Sequence, residues 1–154
     1  MGPRALGNRS ILMSPRRPEN KDILNSQVKH REAFRPFAPA ILEEFTTEYF
    51  DIDRPSPYML LVPTVRAEKR EVIPAVTHAD GTGRLQTVTK EFNPHFYEII
   101  RKFYERTGVP VILNTSFNVA REPIVETPED AIRCFLGTGI DALLLGNHLL
   151  RKPA

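Results

Sequence analysis

Proline recurs so often along this chain that most of its secondary structure must be short. Fourteen of the 154 residues are proline, and each of them lacks a backbone N–H and has a restricted φ, which ends helices and interrupts strands. The length is typical of one domain with a single hydrophobic core, and the chain contains no tandem repeat or low-complexity tract. We therefore predict one compact domain built from short elements.

Two segments carry both the period and the end signals of a helix. The first begins with Asn93 as N-cap and Pro94 at the first helical position, and Gly108 ends it. Its apolar residues recur at a spacing that places them on one face: Phe96, Ile99, Ile100 and Phe103. The second begins with Thr127 as cap, followed by Pro128, and ends near 137–139. We expect its buried stripe to consist of Ala131, Ile132, Phe135 and Leu136.

Short β-branched and apolar runs predict five strands around these helices. They cover residues 58–65, 72–77, 84–88, 109–113 and 142–145. The pair Asp80–Gly81 predicts a hairpin between the second and third runs. The run at 109–113 is almost entirely apolar, as expected for a central strand covered on both faces. The order of these elements predicts a mixed α/β fold.

Positive charge is concentrated in the first quarter of the chain. Residues 1–36 contain eight basic and three acidic residues, a net charge of +5, and the rest of the chain carries −3. Such a cluster attracts phosphates if it folds onto one face, and the alternative is an ordinary solvated surface. An extended backbone would place Lys29, Arg31 and Arg35 on the same side. The planar, bidentate donors of arginine and the compact charge of lysine together suit a triphosphate or an acyl phosphate.

A polar segment, residues 114–118, follows the predicted central strand. The ends of central strands are a usual place for ligands in open α/β sheets. Ser116 and Asn118 are two residues apart and can offer a hydroxyl and an amide to a phosphate or a ribose. The alternative is a polar turn whose side chains bond the local backbone.

Two further clusters are candidates for contact with an anion. Around the Asp-Gly turn we expect His78, Arg84 and Gln86 on one face of the hairpin, whereas the aspartate and glycine can simply form the turn. Near the start of the chain, Arg4 and Arg9 lie between glycines in a segment that could wrap an anion, and a frayed terminus is the alternative.

Several other classes of site are not indicated. The four histidines are scattered without metal-ligand spacing, so we predict no protein-bound metal. Neither a Walker-type phosphate loop nor a dinucleotide-binding glycine fingerprint occurs. The one cysteine, Cys134, falls in the second predicted helix, where a buried thiol acts as a small apolar side chain. No secretory signal and no apolar run of about 18 residues is present, and we expect a cytoplasmic protein.

Taken in order, several motifs resemble the C-terminal domain of the nodulation and antibiotic O-carbamoyltransferases. They are GPRALGNRSIL at 2–12, KHRE at 29–32, FRPFAP at 34–39, HADGTGRLQTV at 78–88, LNTSFNV at 113–119 and TPEDAIRCF at 127–135. Because these motifs span nearly the whole chain, the resemblance is far more specific than any one of them.

The resemblance implies a YrdC-like α/β fold, a twisted mixed sheet with flanking helices. In that family a Lys-x-Arg pair and a Ser-x-Asn pair bind the nucleotide, and they correspond here to Lys29, Arg31, Ser116 and Asn118. The domain is implied to make carbamoyl adenylate from carbamoyl phosphate and ATP, with Mg²⁺ carried by the ATP. With the charge pattern added, we expect Lys29, Arg31 and Arg84 to be catalytic. The expected ligand-binding set is Lys29, Arg31, Arg35, His78, Arg84, Ser116, Asn118, Arg4 and Arg9.

The resemblance also implies a partner. In the family, an N-terminal domain with the actin-like ATPase fold passes the carbamoyl group to the hydroxyl of a small molecule, and that domain is absent from these 154 residues. We expect residues 1–19 to form the junction to it and residues 20–154 to form the YrdC-like domain, with no membrane partner.

Two alternatives stay open. In the first, the chain binds nucleotide without turning it over. In the second, the basic region binds RNA, since related YrdC-type domains take part in transfer RNA modification. The second is disfavoured because aromatic residues do not alternate with basic ones as in a stacking platform, apart from Phe34 and Phe37.

One position departs from the family pattern. After Asn118-Val119 the family usually has a basic residue and then a glycine, whereas this chain has Ala120 and Arg121. If the glycine provides a positive φ there, we expect this loop to be altered here.

Overall fold

In the computed structural model, which describes residues 5–152, the elements are short and mostly separated by proline-containing turns. The strands are β1 (Ser10–Met13), β2 (Ala38–Leu42), β3 (Phe50–Asp51), β4 (Thr64–Val65), β5 (Gln86–Val88), β6 (Val111–Ser116), β7 (Ala142–Leu145) and β8 (His148–Arg151). The helices are α1 (Glu19–Leu24), α2 (Thr46–Tyr49), α3 (Pro94–Thr107) and α4 (Pro128–Leu136). A π-helical turn, Asn25–Lys29, continues directly from α1.

The central sheet has four strands in the order β1-β6-β2-β5. Strand β6 is antiparallel to both β1 and β2, whereas β2 and β5 are parallel. Two separate two-stranded sheets, β3-β4 and β7-β8, complete the strands of the described residues. The predicted mixed α/β fold, with a mixed sheet and flanking helices, is confirmed.

The two faces of the sheet bury different sets of side chains because successive residues of a strand point to opposite sides. One face, with Ala40 of β2 and Ile112 of β6, packs against Phe96 and Ile100 of α3. The other face belongs to the larger core, to which Val28 of the π-helical turn and Phe135 of α4 contribute. The turn is thereby anchored under the sheet, close to the end of β6.

Both helix predictions are confirmed by their caps. The Asn93 side chain accepts a hydrogen bond from the backbone N–H of Phe96 at 3.1 Å, and Gly108 ends α3 with a φ of 72°. Thr127 and Asp130 form a reciprocal capping box at the start of α4. The predicted buried stripes fail at their edges, since Ile99 and Leu136 are exposed.

Three strand predictions are wrong in extent or kind. Residues 72–77 contain a short 3-10 helix, Pro74–Val76, because Pro74 provides no N–H for a strand partner. In 58–65 only Thr64 and Val65 form a strand, with a single bridge from Leu61 to Leu85 before it. The expected hairpin is therefore a turn without paired flanking strands, and the third run shortens to β5.

The predictions for the central strand and for the run at 142–145 agree well with the structure, whereas β8 was not predicted. Strand β6 lies between β1 and β2, as expected of the apolar run, but begins at Val111 and continues to Ser116. Pro110 precedes it and contributes only its carbonyl, which accepts from the N–H of Leu42 at 3.2 Å. Strand β7 has the predicted bounds. Of the polar segment predicted to follow the central strand, residues 114–116 lie within β6, and Phe117 and Asn118 follow its end.

Candidate functional site

The segment predicted to place Lys29, Arg31 and Arg35 on one side begins at the π-helical turn, and its backbone is not extended. Lys29 is the last residue of this turn, and His30 follows in the left-handed region with a φ of 46°. The backbone N–H of Arg31 then donates to the carbonyl of Asn25 at 3.1 Å. The premise that alternate residues share one face of an extended segment is therefore wrong, although the same residues do converge.

Lys29 is buried against the end of β6. Only 3% of the residue is exposed, and its Nζ donates to the carbonyl and hydroxyl oxygens of Ser116 at 2.5 and 3.2 Å. It also donates to the carbonyl oxygen and the Oδ1 of Asn118, both at 2.9 Å. The lysine and the Ser-x-Asn pair, 87 residues apart in sequence, therefore form one hydrogen-bonded group. We call Lys29, Ser116 and Asn118 the floor.

Burial sets the charge balance of the floor. It lowers the pKa of Lys29 from 10.5 to about 8, and the neighbouring charge of Arg31 acts in the same direction. The ammonium is still the major form at neutral pH, and it has three N–H donors for the four oxygens around it. The floor therefore carries a positive charge whose donors are already engaged within the protein.

Above the floor lies a cavity of about 400 Å³ between the two predicted segments. We call it the basic cavity. Its lining is Lys29, His30, Arg31, Glu32, Arg35, Ser116, Asn118, Val119, Ala120 and Arg121. The two segments thus face each other across one cavity, as expected if both pairs bind the same nucleotide. We call Arg31, Arg35 and Arg121 the rim.

Arg31 is the most constrained side chain of the rim. Its Nε donates to Asn25 Oδ1 at 2.8 Å, and its guanidinium lies 4.7 Å from the centre of the Phe37 ring. Partial burial lowers the pKa of Arg31, and the charges of Arg35 and Arg84 lower it further. Arg35 is more exposed and forms an ion pair with Glu32 at 2.9 Å. The rim therefore holds cations that repel one another, and a bound anion would reduce this repulsion.

A second, smaller cavity of about 280 Å³ adjoins the basic cavity. The two share Arg31 and Arg35, and the remaining lining of the smaller cavity is Pro36, Phe37, Val62, His78 and Arg84. The structure therefore brings His78 and Arg84 to the arginines of the rim. Burial lowers the pKa of His78, which favours a neutral imidazole.

The turn that carries His78 is built by its own polar groups. Asp80 accepts from the N–H and the hydroxyl of Thr82 at 3.0 and 2.7 Å, and Gly81 has a φ of 79°. Asp80 and Gly81 thus form the turn. Gln86 is buried and accepts from the amide of Asn114 at 2.7 Å, so the expectation that it shares a face with His78 and Arg84 is wrong.

The loop after the floor keeps a backbone conformation that glycine usually adopts. Arg121 has a φ of 67°, and it occupies the position where the family pattern has glycine. The N–H of Ala120 donates to the Lys29 carbonyl at 3.1 Å, which ties this loop to the π-helical turn. Arg121 therefore adopts a positive φ without being glycine, and the positive charge lies one residue later than in the family pattern.

The two arginines predicted near the start of the chain have different outcomes. Arg4 lies outside the described residues. Arg9 donates from its guanidinium to the Val125 carbonyl at 3.1 Å, and it lines neither of the two cavities. The segment around it is packed and not frayed, since the N–H of Phe117 donates to the Arg9 carbonyl at 2.9 Å. Gly7 contacts the Phe96 ring so closely that no side chain would fit there.

Sequence reasoning missed Asn25. This residue is only 1% exposed and bonds both Arg31 and the loop that follows it. The one available signal was a polar residue four positions before Lys29, and such residues are also common on helix surfaces. Its role depends on a tertiary loop that no local pattern predicts.

Residues 5–152 contain neither a group of metal-ligating side chains nor a helix that could cross a membrane. No group of three or more His, Cys, Asp or Glu side chains in this range could hold a metal ion. Within the same residues, no helix has the length and apolar character needed to cross a bilayer. Cys134 is buried, as predicted, and burial raises the pKa of its thiol.

Comparison with known proteins gives one consistent family. The model of the family described as "Carbamoyltransferase C-terminus" matches residues 1–152. Nodulation protein NolO of Bradyrhizobium diazoefficiens is 52% identical over 154 residues, covering 98% of this chain and 28% of the relative. Nodulation protein NolNO of Sinorhizobium fredii is 51% identical, covering 98% of this chain and 23% of the relative. An uncharacterised protein of Methanocaldococcus jannaschii is 49% identical, covering 98% and 29%. The chain spans about a quarter of the length of these relatives.

Proposed function

Because this chain belongs to the carbamoyltransferase C-terminus family, we propose that it is the ATP- and carbamoyl-phosphate-binding domain of a carbamoyltransferase. The observation that carries the proposal is the basic cavity, in which the floor and the rim gather Lys29, Arg31 and Arg35 opposite Ser116 and Asn118. Several cations that share one cavity, with few carboxylates among them, form an environment for a polyphosphate.

The proposed reaction brings two anions together. ATP, carbamoyl phosphate and one water are consumed, and carbamoyl adenylate, pyrophosphate and phosphate are released. The two substrates repel each other in solution, so cations between them lower the cost of the encounter. The adjoining cavities offer a place for each: the triphosphate in the basic cavity and carbamoyl phosphate beside His78 and Arg84. Arg31 and Arg35 would lie between the two ligands.

The roles of the residues follow from their bonds. Arg31, Arg35 and Arg84 act on the phosphates through planar forks of donors. The floor contributes charge and shape, since Ser116 Oγ donates to Asn118 Oδ1 at 2.6 Å and Asn118 Nδ2 donates to the Glu122 carbonyl at 2.8 Å. No side-chain nucleophile is required, and Mg²⁺ would arrive with ATP, as in other phosphoryl and nucleotidyl transfers.

The remainder of a longer protein completes the proposal. The relatives are about four times as long as the matched segment, and we assign to their additional length a transferase domain that passes the carbamoyl group to a hydroxyl. Residues 1–19 would join the two parts. In this scheme the chain supplies an activated carbamoyl group to a separate acceptor site.

The test is to incubate the chain with ATP, Mg²⁺ and carbamoyl phosphate and to measure pyrophosphate, with MgATP binding measured separately by isothermal titration calorimetry. Pyrophosphate release that requires carbamoyl phosphate supports adenylate formation. Binding of both ligands without release supports a binding domain that needs the rest of the protein for turnover. Absence of binding of either ligand contradicts the proposal.

A further inference from the structure

Asn25 is a buried polar residue whose side chain, among residues 5–152, bonds only the arginine-bearing loop. It is the first residue of the π-helical turn and is almost fully inaccessible. Its Oδ1 accepts from Arg31 Nε at 2.8 Å, and its Nδ2 donates to the carbonyls of Ala33 and Arg35 at 3.4 and 3.2 Å. One amide thus contacts three residues of the loop that carries two cations of the rim.

We propose that Asn25 is a positioning residue that fixes the Arg31 guanidinium in the orientation in which it binds phosphate, and that also holds the backbone of the loop that carries Arg35; this inference rests on the proposed function. Arginine side chains lose much rotamer freedom when they bind, and holding one beforehand removes part of that cost. The bond to Nε leaves the two terminal nitrogens of Arg31 for other partners. The Phe37 ring, 4.7 Å from the guanidinium, restricts its plane further.

The loop needs both halves of the amide. The guanidinium requires an acceptor and the two carbonyls require a donor, so the surroundings define which way the amide points. An aspartate would place an oxygen against the two carbonyls and would add a negative charge beside Arg31. An alanine would leave the carbonyls and the Nε without this partner. Asparagine is therefore the side chain that satisfies all three groups at this position.

The first test is a mutant cycle on MgATP affinity, measured by isothermal titration calorimetry. We expect Asn25→Ala to weaken binding about tenfold in the otherwise unchanged chain and less than about twofold when Arg31→Ala is already present. Asn20→Ala is the matched control: its amide also donates to a backbone carbonyl, that of Ser14 at 2.8 Å, and it should leave affinity unchanged. Equal losses from Asn25→Ala in both backgrounds would overturn the proposal.

The second test requires no ligand. The Nε–H of Arg31, identified in ¹⁵N NMR spectra by its loss in Arg31→Lys, should exchange with water much more slowly than that of the exposed Arg106. In Asn25→Ala the exchange should approach the rate of Arg106. Equally fast exchange of both arginines in the unmodified chain overturns the positioning role. If the chain binds neither ATP nor carbamoyl phosphate but the Arg31 Nε–H exchanges slowly, the proposed function fails and the contact between Asn25 and Arg31 is confirmed. If slow exchange of this N–H persists in Asn25→Ala, the inference about Asn25 is overturned.

Discussion

The floor and the rim of the basic cavity hold the same sign of charge in opposite surroundings. On the floor, the Lys29 ammonium is buried and its donors are directed to oxygens of Ser116 and Asn118. On the rim, Arg31 is half-buried, and Arg35 and Arg121 are exposed. A buried, satisfied donor orders its neighbours, whereas a partly exposed guanidinium keeps donors for a ligand. Lys29 therefore holds residues 116–118 together, whereas the arginines of the rim keep donors with which a ligand could bond.

The floor should be the more sensitive of the two regions for ligand binding. We expect Lys29→Met to weaken MgATP binding about 100-fold, equivalent to about 2.7 kcal/mol. Methionine fills a similar volume but removes both the charge and the bonds that order residues 116–118. Isothermal titration calorimetry measures the effect. A loss smaller than that of any rim variant would reverse the comparison.

Lys102→Met is the matched control for this experiment. Lys102 lies on α3 with its side chain 61% exposed, and it pairs only with Glu105 among the described ion pairs. Surface pairs of this kind contribute little to stability. We expect its replacement to leave both affinity and stability close to those of the unmodified chain.

The buried charge of the floor should also be visible in the pH dependence of stability. Because the pKa of Lys29 is about 8 in the folded chain and 10.5 as its ordinary value, the unfolded state binds more protons between these values. Stability therefore rises with pH across this window, and the penalty for burying the charge is fully present below it. We expect the unfolding free energy of the unmodified chain, relative to Lys29→Met, to increase by roughly 2 to 3 kcal/mol between about pH 7 and about pH 10.

Urea unfolding at the two pH values measures this difference, and the variant corrects for the other groups that titrate in the same range. A relative stability that stays constant would mean that the lysine keeps an ordinary pKa and that the floor is open to water. A relative stability that falls with pH would mean that the surrounding oxygens more than compensate the charge for its burial.

The local parts of the fold were predictable because their causes are local. Asn93, Pro94 and Gly108 define the ends of α3 through a cap and a turn made with neighbouring residues. The failures occurred where a distant partner decides. The exposed segment 58–62 has strand-like composition, yet within it only a bridge from Leu61 to Leu85 pairs with the rest of the molecule, so β propensity alone overestimated it.

The predictions of the site depended less on local sequence patterns than those of the helices did. Spacing alone predicted the convergence of Lys29 and Arg31 from an extended backbone, whereas the structure achieves it with a π-helical turn and a left-handed His30. The meeting of the lysine with Ser116 and Asn118 was implied by the family resemblance, because no local pattern links residues 87 positions apart. Asn25 was missed for the same reason: its partners lie in a loop whose shape depends on that left-handed residue.

Within the rim, we expect the more buried arginine to contribute more to MgATP affinity. We expect Arg31→Ala to weaken MgATP binding about 30-fold, equivalent to about 2 kcal/mol, because a partly buried and oriented guanidinium makes a charge-assisted bond. Arg35→Ala should cost about threefold, since this exposed side chain is partly neutralised by Glu32. The same titrations measure both variants. Equal effects would show that charge alone, and not orientation, determines what the rim contributes.

Arg121 provides the smallest and most specific test, because its backbone and its side chain have opposing effects. A non-glycine residue in the left-handed region costs about 1 kcal/mol or more, and Arg121 has a φ of 67°. Arg121→Gly relieves this strain but adds freedom to the unfolded chain, so we expect a net gain of about 0.5 kcal/mol in unfolding free energy. The neighbouring Ala120→Gly has no such strain to relieve and should instead destabilise by about 0.5 kcal/mol. Urea unfolding of the two variants measures both changes in unfolding free energy. If both variants lose stability, the arginine side chain stabilises the loop by more than the strained backbone of Arg121 destabilises it.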